Sequence, residues 1–202
     1  MPILFATSYL PPICYMAQVI RTDEIIIEAW ETYTKQTCRN HCNIYGPNGR
    51  QTLSIPVKKV NGNHTLTRDI RISYDQAWHV NHWRSITAAY NNSPFFLYYE
   101  DLFAPLFKKQ FDFLIDYNQR LLECVLKSLK INIPVQLSTE FSQEGNGSKK
   151  EWLVSKKCSV INQVYHQVFS DKAGFIPNLS IIDLLFNLGP ESYGYLHSSP
   201  SG

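Results

Sequence analysis

The chain has no run of about 18 consecutive apolar residues, the length a membrane-spanning helix needs. Its start, Met1-Pro2-Ile3-Leu4-Phe5, lacks the basic head and apolar stretch of an export signal. Both absences lead us to expect a cytoplasmic protein that does not insert into a membrane. Also missing are a Gly-x4-Gly-Lys-Ser/Thr loop, Gly-x-Gly-x-x-Gly, a Gly-x-Ser-x-Gly elbow and an Asp-x-Asp pair. Those absences weigh against nucleotide-cradling loops, dinucleotide binding and serine hydrolysis more than against a small transferase, and no cofactor is expected. Cysteine is sparse and odd in number: Cys14, Cys38, Cys42, Cys124 and Cys158 stand at irregular spacing, which fits free thiols in a reducing compartment.

Strong net charge is lacking too, at +2 with a pI near 8.2, so a strongly basic nucleic-acid binder and an acidic tail are both disfavoured. The charge is nevertheless unevenly spread. Lys35, Arg39, Arg50, Lys58, Lys59, Arg68 and Arg71 face only one acid in the same stretch, Asp69. A solvated face explains such a run, and so does a surface that binds anions. With 202 residues, 44% of them hydrophobic, the chain is long enough for one sizeable core and requires no second one.

The expected class is α/β: a single domain over 1–202 with a mixed sheet. Ile3 to Ser8 reads as a buried strand, Pro11-Pro12 open a helix to about Ile20, and Ile25-Ile26-Ile27-Glu28 reads as a second interior strand. Strand, short helix and strand at this spacing make a βαβ unit with parallel pairing. An antiparallel hairpin follows, Arg39 to Tyr45 and Gln51 to Val57, turning at Pro47-Asn48-Gly49.

Helices should then run through about 74–129. A capping box at Ser73-Tyr74-Asp75-Gln76 opens the first, Ser93-Pro94 the second, and the third spans about Gln110 to Leu129. Residues 141–150 read as a mobile loop, and Tyr165 to Phe169 as extended chain. Ser180-Ile181-Ile182-Asp183 reads as another capping box, opening a short helix ended by Gly189-Pro190, with a loosely ordered tail over 191–202.

These signals occur in an order that resembles the WbqC-like protein family. The resemblance rests on Tyr9-Leu10-Pro11, Tyr33 to Asn40, Leu53-Ser54-Ile55-Pro56-Val57, Trp78, His82-Trp83, Tyr90, Ser93-Pro94-Phe95-Phe96 and Asn178 to Asn187. It implies a link to bacterial surface-polysaccharide (O-antigen) biosynthesis. Many members look like His-Gln-Pro before the aromatic at Tyr9; here Phe5-Ala6-Thr7-Ser8 stand there, so no catalytic histidine carries over.

Candidate ligand-binding residues follow from chemistry. A helix N-terminus offers N–H groups to an anion, and Thr7, Ser8 and Tyr9 add hydroxyls, although two prolines remove donors and no glycine lets a phosphate approach closely. A plain strand–helix junction accounts for the same residues. Lys35, Arg39, Asn40, Arg68 and Arg71 are the available partners for a phosphate or carboxylate. Tyr165, Gln167 and Asn178 form a later polar set. His166 and Tyr9 are weak candidates for catalysis, His166 because its ordinary pKa lies near working pH. Cys38, Cys42, His79 and His82 are a weak alternative as zinc ligands; core packing of the two histidines is the competing account.

Three functions compete: an enzyme modifying a phosphate- or carboxylate-bearing small molecule, a non-catalytic binding or scaffold protein of the same pathway, and a nucleic-acid binder, disfavoured because Trp83 falls on a core-facing helical stripe. A deep cleft joining Thr7, Tyr9, Lys35, Arg39 and Arg71 would favour the enzyme or a ligand-binding protein.

Overall fold

Three parallel strands and one buried helix set the frame. The computed structural model describes residues 3–141 and 163–198, so all but the first residue of the expected loop at 141–150, and Cys158, lie outside the described residues. Strand β1 (Ile3–Ala6) runs into helix α1 (Ile13–Val19) and back into β2 (Ile25–Glu28), which pairs with β1 in parallel, Ile3 opposite Ile25 and Ala6 opposite Glu28. The β-branched run Ile25-Ile26-Ile27 suits a strand in a covered sheet. All seven residues of α1 are buried, so the helix is enclosed by the protein.

The hairpin is β3 (His41–Gly46) against β4 (Gly49–Ser54), with Cys42 opposite Leu53 and Ile44 opposite Gln51. Pro47 holds a negative φ in the turn, and Gly49 at φ 100° returns the chain to the strand path, a conformation that favours glycine. Two short strands follow, β5 (Val57–Lys58) and β6 (Arg71–Ile72), also antiparallel. The helical layer is α2 (Trp78–Tyr90), α3 (Phe96–Phe103) and α4 (Leu114–Ser128). Strand β7 (Val135–Leu137) then returns to pair in parallel with β2. The chain closes with α5 (Ser170–Ala173), α6 (Ile181–Leu188) and α7 (Ser192–Ser198).

The α/β class and the single core are as expected, with βαβ unit and hairpin in place. Several details differ. The strands do not share one mixed sheet: the parallel trio and the two antiparallel pairs are separate sheets. Helix α2 begins at Trp78, because Ser73 Oγ donates to the Asp75 carboxylate, a local turn that competes with helix entry. Helix α4 begins at Leu114, because the preceding chain is drawn out along β6: Ile72 N–H donates to Asp112 O and Leu114 N–H to Ile70 O. Helix α3 begins at Phe96, since Ser93 Oγ turns back to Tyr90 O. The expected loose tail is helical over Ser192–Ser198, where Tyr195 and Leu196 are buried.

Among the described residues no helix is long and apolar enough to cross a membrane. Cys38, Cys42 and Cys124 are free thiols, whereas Cys14 is disulfide-bonded. This corrects the expectation of free thiols throughout: an odd cysteine count guarantees a thiol left over but excludes no bond.

Gly189 ends α6 at φ 54°, and a Cβ built there would stand 2.5 Å from the Phe95 ring. Gly189→Ala combines a disfavoured backbone conformation with overpacking, so equilibrium unfolding in denaturant should show a loss of about 2–4 kcal/mol.

Candidate functional site

The first loop, where a helix N-terminus follows a strand, is filled by the protein itself. Tyr9 N–H donates to Cys38 O at 2.8 Å, Ile13 N–H to Leu179 O at 3.0 Å, and Cys14 N–H to the Asn178 side-chain oxygen at 3.0 Å. Asn178, which stands at φ 54°, thus satisfies an N–H in the first turn of α1, and the donors that would have met an anion are occupied. Tyr9 and Leu10 are wholly buried, and Thr7 and Ser8 nearly so.

Thr7 Oγ1 accepts from Asn118 Nδ2, and Ser8 Oγ donates to Cys38 O. Thr7, Ser8, Asn118 and Gln119 border a cavity of about 10 Å³. That is room for roughly one water. Asn118 Oδ1 is buried without a protein partner, which is the kind of group such a water satisfies.

The segment Glu31–Asn40 is locked by one ion pair. Arg39, only 1% exposed, sends Nη2 to Glu31 Oε1 at 2.8 Å and Nε to the same oxygen at 2.9 Å, with Nη1 on Thr37 Oγ1 at 3.1 Å. Its guanidinium is therefore committed internally. The Arg39 carbonyl accepts from Asn118 Nδ2 at 2.8 Å, tying the segment to α4. Asn40 Nδ2 donates to Ile55 O, and Ile55 N–H donates back to Asn40 O.

On the outer side of this segment lies a cleft of about 400 Å³, bordered by Tyr33, Lys35, Asn40, His41, Lys59 and the strand end Ser54–Val57. Its size suits a small molecule. Lys35 is exposed, and Lys59 Nζ lies 5.6 Å from the Tyr33 ring centroid. Burial pushes the Tyr33 hydroxyl up to about 12, against a smaller lowering by Arg39, so it remains protonated. Burial lowers the pKa of His41, which keeps its imidazole neutral and able to accept a proton near pH 7. The Tyr33 hydroxyl and Asn40 Oδ1 are buried with no hydrogen-bond partner.

Of the residues singled out from sequence, Lys35 and Asn40 meet in this cleft, and Tyr33, His41 and Lys59 join them. Thr7, Ser8 and Tyr9 do not line it, and Arg39 stands behind it. Arg68 is stacked over the Trp30 ring at 3.7 Å. Arg71 lies over Phe113 at 4.9 Å and pairs with Lys58, which strand alternation turns away from Val57. His166 is exposed.

Tyr9 Oη is 2.9 Å from His82 Nδ1. His82 also bonds the Ser54 backbone, which favours its protonated form and so makes the ring a donor there; Nδ1 is left to accept from Tyr9. Burial nonetheless lowers the His82 pKa to about 4. Among the described residues no group of three or more His, Cys, Asp and Glu could hold a metal, so Cys38, Cys42, His79 and His82 are not assembled as ligands. The histidines pack instead on Trp78, with ring centroids 5.7 and 5.1 Å away.

Tyr165 and Gln167 belong to a different buried centre, built on Asp183. Its carboxylate accepts from Tyr90 Oη at 2.9 Å, Gln167 Nε2 at 2.9 Å and the Tyr165 hydroxyl. Tyr90 Oη in turn accepts from Tyr45 N–H, so the network joins the hairpin, α2 and α6. Asp183 and Ser180 looked like a capping box, but neither side chain caps the helix: Ser180 Oγ donates to Leu10 O. The only sequence signal was an acid among Ile181-Ile182 and Leu184-Leu185, where an unpaired charge would be costly.

Removing the guanidinium in Arg39→Leu leaves the Glu31 carboxylate buried and unpaired, and chemical denaturation should register a loss of about 3–5 kcal/mol, recovered at least partly in Arg39→Leu/Glu31→Leu. Burial raises Asp183 from its ordinary 3.8 to about 6 despite three donated hydrogen bonds. Over that interval the folded state holds the proton that the unfolded state has released. The contribution is therefore full below pH 3.8 and lost as pH rises through 6, a change of at most about 3 kcal/mol. Denaturant unfolding at a series of pH values should show this loss between pH 4 and 6 in the wild type and not in Asp183→Asn.

Comparison with known proteins agrees with the sequence resemblance. The family model described as "WbqC-like protein family" matches residues 7–164. "Uncharacterized protein Rv1507c" of Mycobacterium tuberculosis (strain ATCC 25618 / H37Rv) is 27% identical over an alignment 221 residues long, covering 94% of this chain and 94% of the relative. No solved structure matches. The matched region contains the first loop, the hairpin, the cleft and the helical layer, and the chain belongs to the WbqC-like protein family.

Proposed function

We propose that this protein is an enzyme that transfers or modifies a group on a phosphate-bearing or carboxylate-bearing intermediate of bacterial surface-polysaccharide biosynthesis, with the anion held in the cleft between Lys35 and Lys59. The pathway comes from the family resemblance. The anion comes from the cleft, which among the described residues is bordered by two lysines and by no carboxylate. Lysine ammonium groups serve as point charges for phosphate or carboxylate. The single observation that carries the enzymatic reading is His41 at the same cleft. Burial favours its neutral form, the form a general base needs, while the Tyr33 hydroxyl stays protonated.

The arrangement separates binding from chemistry. In a thermal-shift series against inorganic phosphate, pyrophosphate and sugar nucleotides, a ligand at about 100 times its Kd should raise the melting temperature by about 5–10 °C. Lys35→Ala/Lys59→Ala should erase that rise, and His41→Ala should retain it. A complete lack of response to phosphate-bearing compounds, or an undiminished response in the double variant, refutes the assignment.

A further inference from the structure

Besides the two lysines, two residues on the cleft border each carry a polar atom that the protein leaves unpaired and that is itself closed to solvent. Asn40 is pinned through its amide nitrogen to Ile55 O, which fixes the other atom as oxygen, and that oxygen has no donor. The Tyr33 hydroxyl has no partner of either kind. Their residues are 6% and 4% exposed. A buried polar group without a partner costs about 1–3 kcal/mol; of the eight such side-chain atoms among the described residues, these two belong to residues that border one cleft. The same border includes Gln36, at φ 55°. A non-glycine residue there costs about 1–2 kcal/mol and concentrates at sites that rearrange on binding.

A phosphate at pH 7 is almost entirely an acceptor, so it satisfies the lysines but gives nothing to Asn40 Oδ1. That oxygen needs a donor, and the Tyr33 hydroxyl accepts or donates. The opposite border, Ile55, Pro56 and Val57, is apolar and suits C–H groups. The aromatic rings on the border are those of Tyr33, over which Lys59 lies, and His41.

We infer that the ligand of this cleft is a hydroxylated phosphate ester, the class that includes sugar phosphates, with its anion at Lys35 and Lys59 and a hydroxyl donating to Asn40 Oδ1 beside the Tyr33 hydroxyl. The inference rests on the anion-binding reading of the cleft. Binding requires the border near Gln36 to relax, because both polar atoms are closed to water in the structure described.

Tyr33→Phe is the informative variant, since it removes a hydroxyl that makes no hydrogen bond within the protein. As a merely structural residue its loss leaves ligand affinity unchanged; as a ligand contact its loss weakens one class of ligand. Isothermal titration of the full chain with glycerol 3-phosphate and with ethyl phosphate separates these. The wild type should bind glycerol 3-phosphate about tenfold more tightly than ethyl phosphate. Tyr33→Phe should lose most of that preference, with a melting temperature equal to or above the wild type. Equal affinity for the two esters, or a preference unchanged in Tyr33→Phe, overturns the hydroxyl assignment while leaving the anion reading standing. Failure of both esters and of inorganic phosphate to bind overturns both.

Discussion

The pairing of Glu31 with Arg39 inside the protein is the constraint on which the rest of the site depends. Two charges out of water cost several kcal/mol each unless their geometry and remaining hydrogen bonds are satisfied. Here two guanidinium nitrogens meet one carboxylate oxygen and a third nitrogen meets Thr37. With those ends fixed, the intervening backbone serves both sides. Inward, Cys38 O receives Tyr9 N–H and Arg39 O receives Asn118. Outward, Asn40 locks onto Ile55, and Tyr33, Lys35 and Gln36 form part of the cleft border.

This division explains why the basic residues of one sequence segment do different work. Arg39 is spent on the fold, Arg68 and Arg71 lie over aromatic rings, Lys58 pairs with Asp75, and Lys35 and Lys59 border the cleft. Arginine's planar, weakly hydrated group tolerates burial and stacking, whereas lysine's strongly hydrated ammonium keeps to the water-facing border. Charge counted along the chain therefore grouped residues with different structural roles: Lys35 and Lys59 border the cleft, whereas Arg39, Arg68 and Arg71 do not.

The two other polar centres are structural in the same sense. Thr7, Ser8 and Asn118 hold the strand ends to α4, and Asp183 with Tyr90, Tyr165 and Gln167 holds α6 to α2 and the hairpin. Both consist of groups whose partners lie far away along the chain. Asn118 is 111 residues from Thr7, and Asp183 is 93 from Tyr90. A capping-box pattern at Ser180-Ile181-Ile182-Asp183 could not reveal this, because it tests only spacing within one turn, and the carboxylate found stronger donors across the core.

The sequence by itself determined the local elements: β-branched Ile25 to Ile27 as a strand, Pro12 before α1, Pro47-Asn48-Gly49 as the hairpin turn, and the long apolar stripe of α4. Each is governed by backbone preference or periodicity over a few residues. Only tertiary structure decided the fate of the Tyr9-Leu10-Pro11-Pro12 turn, whose nearby N–H groups are taken by Cys38, Asn178 and Leu179. It also separated the strands into three sheets and brought Tyr33, Lys35, Asn40, His41 and Lys59 around one cleft. Such outcomes depend on which distant donor meets which acceptor and on what is left without water, and neither is encoded in local spacing.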